Sequence, residues 1–394
     1  MPMHGSALVL TLCTTSLLLH TVLPPRDAVA GYACEQNASA TPLQYRFNGF
    51  ATLVCVVWLG YLLDAAELVE AAALAKEFWP ALATACGLGL ALSAFLYARG
   101  RGRKVDKGTS CRTVSGPRSA AARSSIDFEA RSFLEHFYCG LEWNPRVLGV
   151  DVKMVNYLVG AVVLACNALS ALALHVEIRG DGSASNAMCV YISCVLFFVG
   201  EYMWYEHVHV YTYDIFRERT GAKMCWGCFC FYPFFYCVGV WPLVDSASDI
   251  SRSAALACGA LYAAGWCLTR GANLQKWAWR TRSARGAATL ATTLFSGLVR
   301  SVAVPGSNGR LLCTGFWGLA RHVNYCGEIV QGVALALPGW LATGSLLPWL
   351  YPIYYVLLFV PRQIDDDKSC AEKYGEVWST YTALVPYRIV PGVY

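Results

Sequence analysis

The chain has 394 residues, of which 56% are hydrophobic and only 14% charged. Soluble domains run at about 45–50% and about 25%, so a membrane protein is expected. The formal net charge of +5 is small, and the basic residues gather in loops rather than along one face, which leaves no surface suited to a nucleic-acid backbone.

In chain order, apolar runs fall at about 7–24, 49–64, 77–98, 154–176, 188–205, 224–244 and 253–269, most of them near the ~20 residues that cross hydrocarbon. The residues before the first run carry only His4 and no Lys or Arg, so a signal-peptide n-region is missing and a retained helix is expected. An apolar stretch at about 329–360 holds Pro338, Gly339 and Gly344 near its middle and reads as a hairpin of two helices. Residues 287–304 are apolar enough to lie in or on the membrane, although Arg300 and Pro305 argue against a crossing. The expected fold class is all-α, a polytopic membrane protein with roughly ten transmembrane helices.

Three regions follow: N-terminal transmembrane helices over 1–98, a basic linker over 99–131, and a C-terminal membrane domain over 132–394. The linker carries Arg99, Arg101, Arg103, Lys104, Lys107, Arg112, Arg118, Arg123 and Arg131, which the positive-inside rule assigns to the cytosol. Alternation then puts the loops at Arg217–Lys223 and Arg270–Arg285, and the tail, on the same side. Most of the 18 cysteines lie inside apolar runs, where free Cys behaves as a small hydrophobe. Cys225, Cys228 and Cys230 have a metal-like spacing but lack a second pair, so no metal site is expected.

Polar groups accumulate in the last third. Asn273, Lys276 and Arg280, at i, i+3 and i+7, share one helix face that suits phosphate or, alternatively, anchors a helix end at lipid headgroups. The run Gly315–Glu328 places Arg321, His322, Asn324, Tyr325 and Glu328 just before a membrane hairpin, where polar side chains are costly unless paired or binding something. In the tail, Asp366, Cys370 and Tyr374 recur every four residues, and Tyr374, Trp378 and Tyr381 follow at i, i+4 and i+7. That face is either an aromatic wall for an adenine or nicotinamide ring, with acids for ribose hydroxyls, or the buried side of an interfacial helix.

From about Phe137 to Tyr394 the residues resemble the sterol reductases, a family that includes C-14 sterol reductase, 7-dehydrocholesterol reductase and the reductase-like domain of the lamin B receptor. The resemblance is carried by Gly140-Leu141-Glu142-Trp143-Asn144-Pro145-Arg146, Asp151-Val152-Lys153, Tyr213-Asp214-Ile215, Arg270-Gly271-Ala272-Asn273 with Lys276 and Arg280, the Arg321–Gly327 run, and Cys370–Tyr374 with the Val385–Gly392 ending. It implies a membrane bundle in the endoplasmic reticulum, a cytosol-facing C-terminal pocket for NADPH, and a sterol entering from the bilayer among membrane lipids, with other sterol-biosynthesis enzymes as neighbours. By matching positions, NADPH would meet Lys276, Arg280, Leu312, Trp317, Asn324, Tyr325, Asp366, Cys370, Lys373, Tyr374 and Tyr381. Arg321 and His322 would lie beside the pocket, and Asn273 would shape its entrance.

Reducing a sterol alkene needs a proton donor held in a dry site as well as a hydride source. Glu206, Asp214 and Tyr325 are the donor candidates, with Glu328 a weaker one; Glu206 and Asp214 could instead be solvated loop carboxylates. Arg270–Asn273, Tyr213–Ile215 with Glu218-Arg219, and Cys370–Tyr374 are most similar to C-14 sterol reductases, whereas Gly315-Phe316-Trp317-Gly318 and Trp226-Gly227-Cys228 are more similar to 7-dehydrocholesterol reductase. The chain departs from the family pattern at Pro361, Asp365, His207 and Glu328. Two further readings are a non-catalytic scaffold of this fold and an isoprenylcysteine-type membrane methyltransferase. The methyltransferases share the Arg-His and Tyr-x-Gly wording but would not explain Asn144-Pro145-Arg146 or the Asn273–Arg280 face. A transporter would show repeated halves and paired charges within spans, and neither is visible.

Overall fold

A run of some twenty apolar residues can satisfy its backbone in lipid only by coiling into a helix, and the long apolar runs of this chain do so. The computed structural model describes residues 4–30, 44–102, 132–210, 212–216, 218–281, 301–307 and 311–394. Its principal helices are α1 (Gly5–Val22), α2 (Gly49–Ala65), α3 (Phe78–Gly102), α4 (Val152–Arg179), α5 (Asn186–Trp204), α6 (Ala222–Val244), α7 (Arg252–Thr281), α8 (Val323–Thr343), α9 (Leu350–Tyr374) and α10 (Glu376–Leu384). Two short antiparallel hairpins pair Asp27–Ala30 with Gln44–Phe47 and Arg146–Val147 with Val150–Asp151.

Among the described residues, α1, α3, α4, α5 and α6 are long and apolar enough to cross a membrane, and the chain is a multi-pass membrane protein. The shorter α2 is also apolar. Helix α7 begins as the apolar run expected at 253–269 but continues through Asn273 and Lys276, so its second half is polar. The expected hairpin is formed by α8 and α9. Its break falls later than the proline suggests, because α8 carries Pro338 internally and stops at Gly344, whose φ of 71° is readily adopted by glycine. Most of the linker (103–131) and most of the ambiguous stretch 287–304 lie outside the described residues.

The chain divides into two compact units. The first comprises Met1–Ala184 and Ile192–Ala247. Its core brings together Leu8 and Val9 of α1, Ala81 and Ala85 of α3, Val159 and Val163 of α4, and Phe234 of α6. Residues before and after the linker therefore share one core. Small residues allow the backbones to close up, as they do in membrane bundles, where leaving lipid yields apolar side chains little. A Cβ on Gly89 of α3 would lie 2.7 Å from the Cα of Trp226. Cys225, Cys228 and Cys230 are free and buried within α6.

The second unit comprises Ser185–Tyr191 and Ser248–Tyr394. Here α7 and α8 cross where Gly265 faces Gly327, and a Cβ on Gly327 would meet the Gly265 carbonyl at 2.5 Å and the Thr269 hydroxyl at 2.3 Å. The crossing is stitched by Thr269 Oγ1 donating to the Asn324 carbonyl at 3.1 Å and Gln331 Nε2 donating to Thr269 Oγ1 at 3.1 Å. This contact carries the Asn273–Lys276 face of α7 and the residues preceding α8 toward the same end of the unit.

Candidate functional site

The C-terminal half of α7 is joined to the following chain by a buried amide. Gln275 donates to Ser301 Oγ (3.2 Å) and the Thr314 carbonyl (3.0 Å), and accepts from the Phe316 N–H (3.1 Å). Trp317 donates its indole N–H to the Ala272 carbonyl at 2.8 Å and packs in a core with Leu312, Ala320 and Val323. The ammonium of Lys276 sits 4.7 Å from the centre of the Trp317 ring, a cation–π contact. Asn273 is half-buried one turn earlier, and Arg280 falls on the same helix with its side chain outside the described set. Leu312 and Trp317 thus brace this cluster from its core.

The Arg321–Tyr325 run is folded against the tail. The backbone N–H groups of Arg321 and His322 donate to the carbonyls of Tyr387 (2.9 Å) and Arg388 (2.8 Å). The Arg321 guanidinium donates to the carbonyls of Val385 and Pro386, both at 3.0 Å, and to Asp367 Oδ2 at 3.1 Å. His322 lies 3.8 Å from Asp366 and stacks on Tyr325, whose ring stacks in turn on Phe359 at 4.3 Å. Burial, reinforced by the Lys276 and Arg321 cations and opposed by Asp366 and Asp367, pushes His322 down to about 4. The ring is therefore neutral at pH 7. Arg321 Nε, Asn324 Oδ1 and Asp367 Oδ1 are buried without a hydrogen-bond partner among the described residues. Unpaired buried polar atoms are costly, and three of them beside aromatic rings and cations fit a ligand rich in phosphates, hydroxyls and amides such as NADPH.

The tail differs from the single aromatic helix that its spacing suggests. Asp366, Cys370 and Tyr374 do share a face of α9, with the Cys370 thiol 3.8 Å from Asp366. Gly375, at φ 55° and ψ −128°, then ends α9, and Trp378 and Tyr381 belong to α10. The rings cluster nonetheless, Tyr374 with Trp378 at 6.5 Å and Trp378 with Tyr381 at 5.1 Å, in a core shared with Val304 and Val385. Burial raises the Tyr381 hydroxyl, which stays protonated. Lys373 is exposed with its ammonium 5.0 Å from the Tyr374 ring, and Pro361 lies inside α9 without ending it.

Of the three donor candidates, Glu206 and Asp214 belong to the first unit and Tyr325 to the second. Glu206 is not a solvated loop carboxylate: it opens a one-turn helix, Glu206–His209, and is 4% exposed. Its Oε2 accepts the Gly49 N–H at 2.9 Å, at the start of α2. Burial nevertheless outweighs that hydrogen bond and raises the carboxyl to about 8, so the side chain is an acid at neutral pH. Asp214 is half-buried on the one-turn helix Tyr213–Phe216.

Sequence reasoning missed Asp367, Gln363 and Arg388. Gln363 is wholly buried and donates to Asp367 at 2.6 Å, Arg388 lies 3.6 Å from Asp367, and the Tyr394 hydroxyl reaches Gln363 at 3.3 Å. The i, i+4 spacing of Gln363 and Asp367 was the available signal, one residue out of phase with the Asp366 face.

Apolar helices of spanning length, a buried acid, and a polar and aromatic cluster at helix ends define a membrane-embedded protein with the groups of an enzyme. The sequence pattern of the ergosterol biosynthesis ERG4/ERG24 family matches residues 5–394, and the chain belongs to that family of sterol reductases. It is similar to Delta(14)-sterol reductase of Arabidopsis thaliana, at 29% identity over 359 residues covering 91% of this chain and 88% of that protein. Delta(14)-sterol reductase TM7SF2 of Mus musculus is 30% identical over 379 residues, 95% of this chain and 82% of that protein. The 7-dehydrocholesterol reductase of Xenopus laevis is 31% identical over 271 residues, 67% of this chain and 55% of that protein.

Proposed function

We propose that this protein reduces the C-14 double bond of a sterol with NADPH, in the membrane of the endoplasmic reticulum. The observation that carries the reading is Glu206, a carboxyl held protonated at neutral pH in a buried site, as an alkene-protonating acid requires. Similarity to Delta(14)-sterol reductases over 91–95% of the chain favours C-14. The runner-up is reduction at C-7, favoured by the Gly315–Gly318 wording and by the 7-dehydrocholesterol reductase relative, whose match covers 67% of the chain.

In this reading α2, α7, α8 and α9 join the five apolar helices as nine spans, close to the roughly ten expected, and the C-terminal cluster faces the cytosol. NADPH, when bound, supplies the hydride. Lys276 and Arg280 would hold its phosphates, Asn324 and Asp366 its hydroxyl and amide groups, and Tyr374 and Tyr381 its rings. Neutral His322 would donate or accept a hydrogen bond without adding charge. Glu206 would hold its proton on the oxygen not engaged by Gly49, and Asp214 and Tyr325 are the other candidate proton donors. Membrane lipids surround the bundle, and the sterol enters from them. Other sterol-biosynthesis enzymes are proposed neighbours.

The test is expression in microsomes that lack their own sterol reductases, with NADPH and either a C-14- or a C-7-unsaturated sterol, and products read by mass spectrometry. Saturation at C-14 alone supports the proposal, and saturation at C-7 alone moves it to the runner-up. No change in either sterol refutes it.

A further inference from the structure

Three motifs play no part in the cofactor cluster: Gly140–Arg146, Asp151–Lys153 and the residues that follow Asp214. All three converge within the first unit. Lys153 is wholly buried, and its ammonium donates to the carbonyls of Asp214 at 2.9 Å, Ile215 at 3.0 Å and Glu218 at 2.6 Å. An ammonium has three donors, and here three carbonyls meet them. Such matching is what lets a charge persist away from water. Two of the acceptors belong to the one-turn helix Tyr213–Phe216, too short to satisfy its own carbonyls, and the third lies two residues past its end.

The far end of the same segment is held by the Gly140–Arg146 turn. The Thr220 N–H donates to the Glu142 carbonyl at 2.8 Å and its hydroxyl to the Trp143 carbonyl at 3.1 Å. Arg219 donates to the Leu141 carbonyl at 2.9 Å with its guanidinium 4.8 Å from the centre of the Trp143 ring. Gly140 permits the contact, since at φ 93° a Cβ there would lie 2.3 Å from the Thr220 carbonyl carbon. Glu142 is itself fixed by a two-pronged pair with Arg99, at 2.9 and 2.7 Å. The segment is thus held on one side by a buried cation, at Asp214, Ile215 and Glu218, and on the other by a braced turn, at Arg219 and Thr220.

We propose that Lys153 is the positioning residue for Asp214: its three carbonyl bonds set the backbone from which the carboxyl projects. This rests on the reading of Asp214 as a proton-handling group of the reductase. Lys153 itself, with every donor engaged by backbone, does not touch substrate.

The test uses the full-length protein in detergent and the variants Lys153→Met, Asp214→Asn and the double substitution. Hydrogen exchange of the amides at 212–220 is followed by mass spectrometry, alongside NADPH-dependent turnover of a C-14-unsaturated sterol. In Lys153→Met the exchange should rise by about tenfold or more, because opening of a local segment sets its exchange. Turnover should fall by about tenfold, and the double variant should be no worse than Asp214→Asn, since residues acting through one group are not additive. Exchange unchanged in Lys153→Met overturns the proposal whatever the sterol does. Losses that multiply in the double variant overturn it too, because Lys153 would then act on stability alone. Faster exchange with a fully active Asp214→Asn removes Asp214 from the reaction and the positioning role with it, while the sterol-reductase reading stands. Should Lys153→Met fail to fold, Lys153→Arg is read by the same criteria, since it keeps the charge but puts a planar fork where three carbonyls converge.

Discussion

Replacing Glu206 with Gln keeps the volume of the side chain and an acceptor for the Gly49 N–H, and removes only the ionisable proton. A general acid contributes about 10²–10⁴-fold, so turnover in Glu206→Gln should fall within that range while NADPH affinity holds. The pH behaviour follows from the same carboxyl. Its folded-state value of about 8 lies above the ordinary 4.5, so the stability it contributes is fully present below about pH 4.5 and is lost as pH rises toward 8. The difference is worth on the order of 5 kcal/mol as an upper limit. Wild type should therefore lose thermal stability from about pH 5 to about pH 8 relative to Glu206→Gln, and its kcat/KM should decline above about pH 8. The assays are sterol turnover across pH and thermal inactivation of both proteins in one detergent. Glu206→Gln retaining full turnover, or tracking wild-type stability across that window, would refute the reasoning.

Three further outcomes are expected. Gly49→Ala places a Cβ 2.2 Å from Glu206 Oε1 and should cut turnover by about tenfold or more through misplacement of the acid, with NADPH binding by fluorescence titration unchanged. Arg321→Ala takes the guanidinium from two carbonyls and from the half-buried Asp367, which keeps Gln363 and Arg388 as partners. Hydrogen bonds to charged groups contribute about 1.5–3 kcal/mol, so its thermal midpoint should drop, with little rescue by Arg321→Lys. Lys276→Met removes a charge-assisted contact worth about 1.5–3 kcal/mol, so the KM for NADPH should rise by about tenfold or more at unchanged kcat.

Apolar runs translate into helices almost one for one, because lipid leaves the backbone no other way to pair its groups. That is why α1 through α6 and the α8–α9 hairpin could be read in advance. The Arg321–Tyr325 run and the tail were also legible as one polar region, since charges beside apolar helices are conspicuous. Contacts between distant residues were not legible. Glu206 accepts its hydrogen bond from Gly49, 157 positions away, and nothing near either residue signals the other. Lys153 stood out only as part of the Asp151-Val152-Lys153 motif, and its partners stand 61–65 positions on. In the tail, helical periodicity predicted the aromatic cluster but not the break at Gly375, because Tyr374, Trp378 and Tyr381 meet across it much as they would along one helix.

The central claim, that this chain moves a hydride from NADPH to a C-14-unsaturated sterol, is tested most directly with purified protein and NADPH deuterated at the transferable position. The account predicts a C-14-saturated product carrying one deuterium, and a second, solvent-derived label when the reaction is run in heavy water. A product that carries no deuterium from the cofactor, or the absence of any C-14-saturated product, would contradict it.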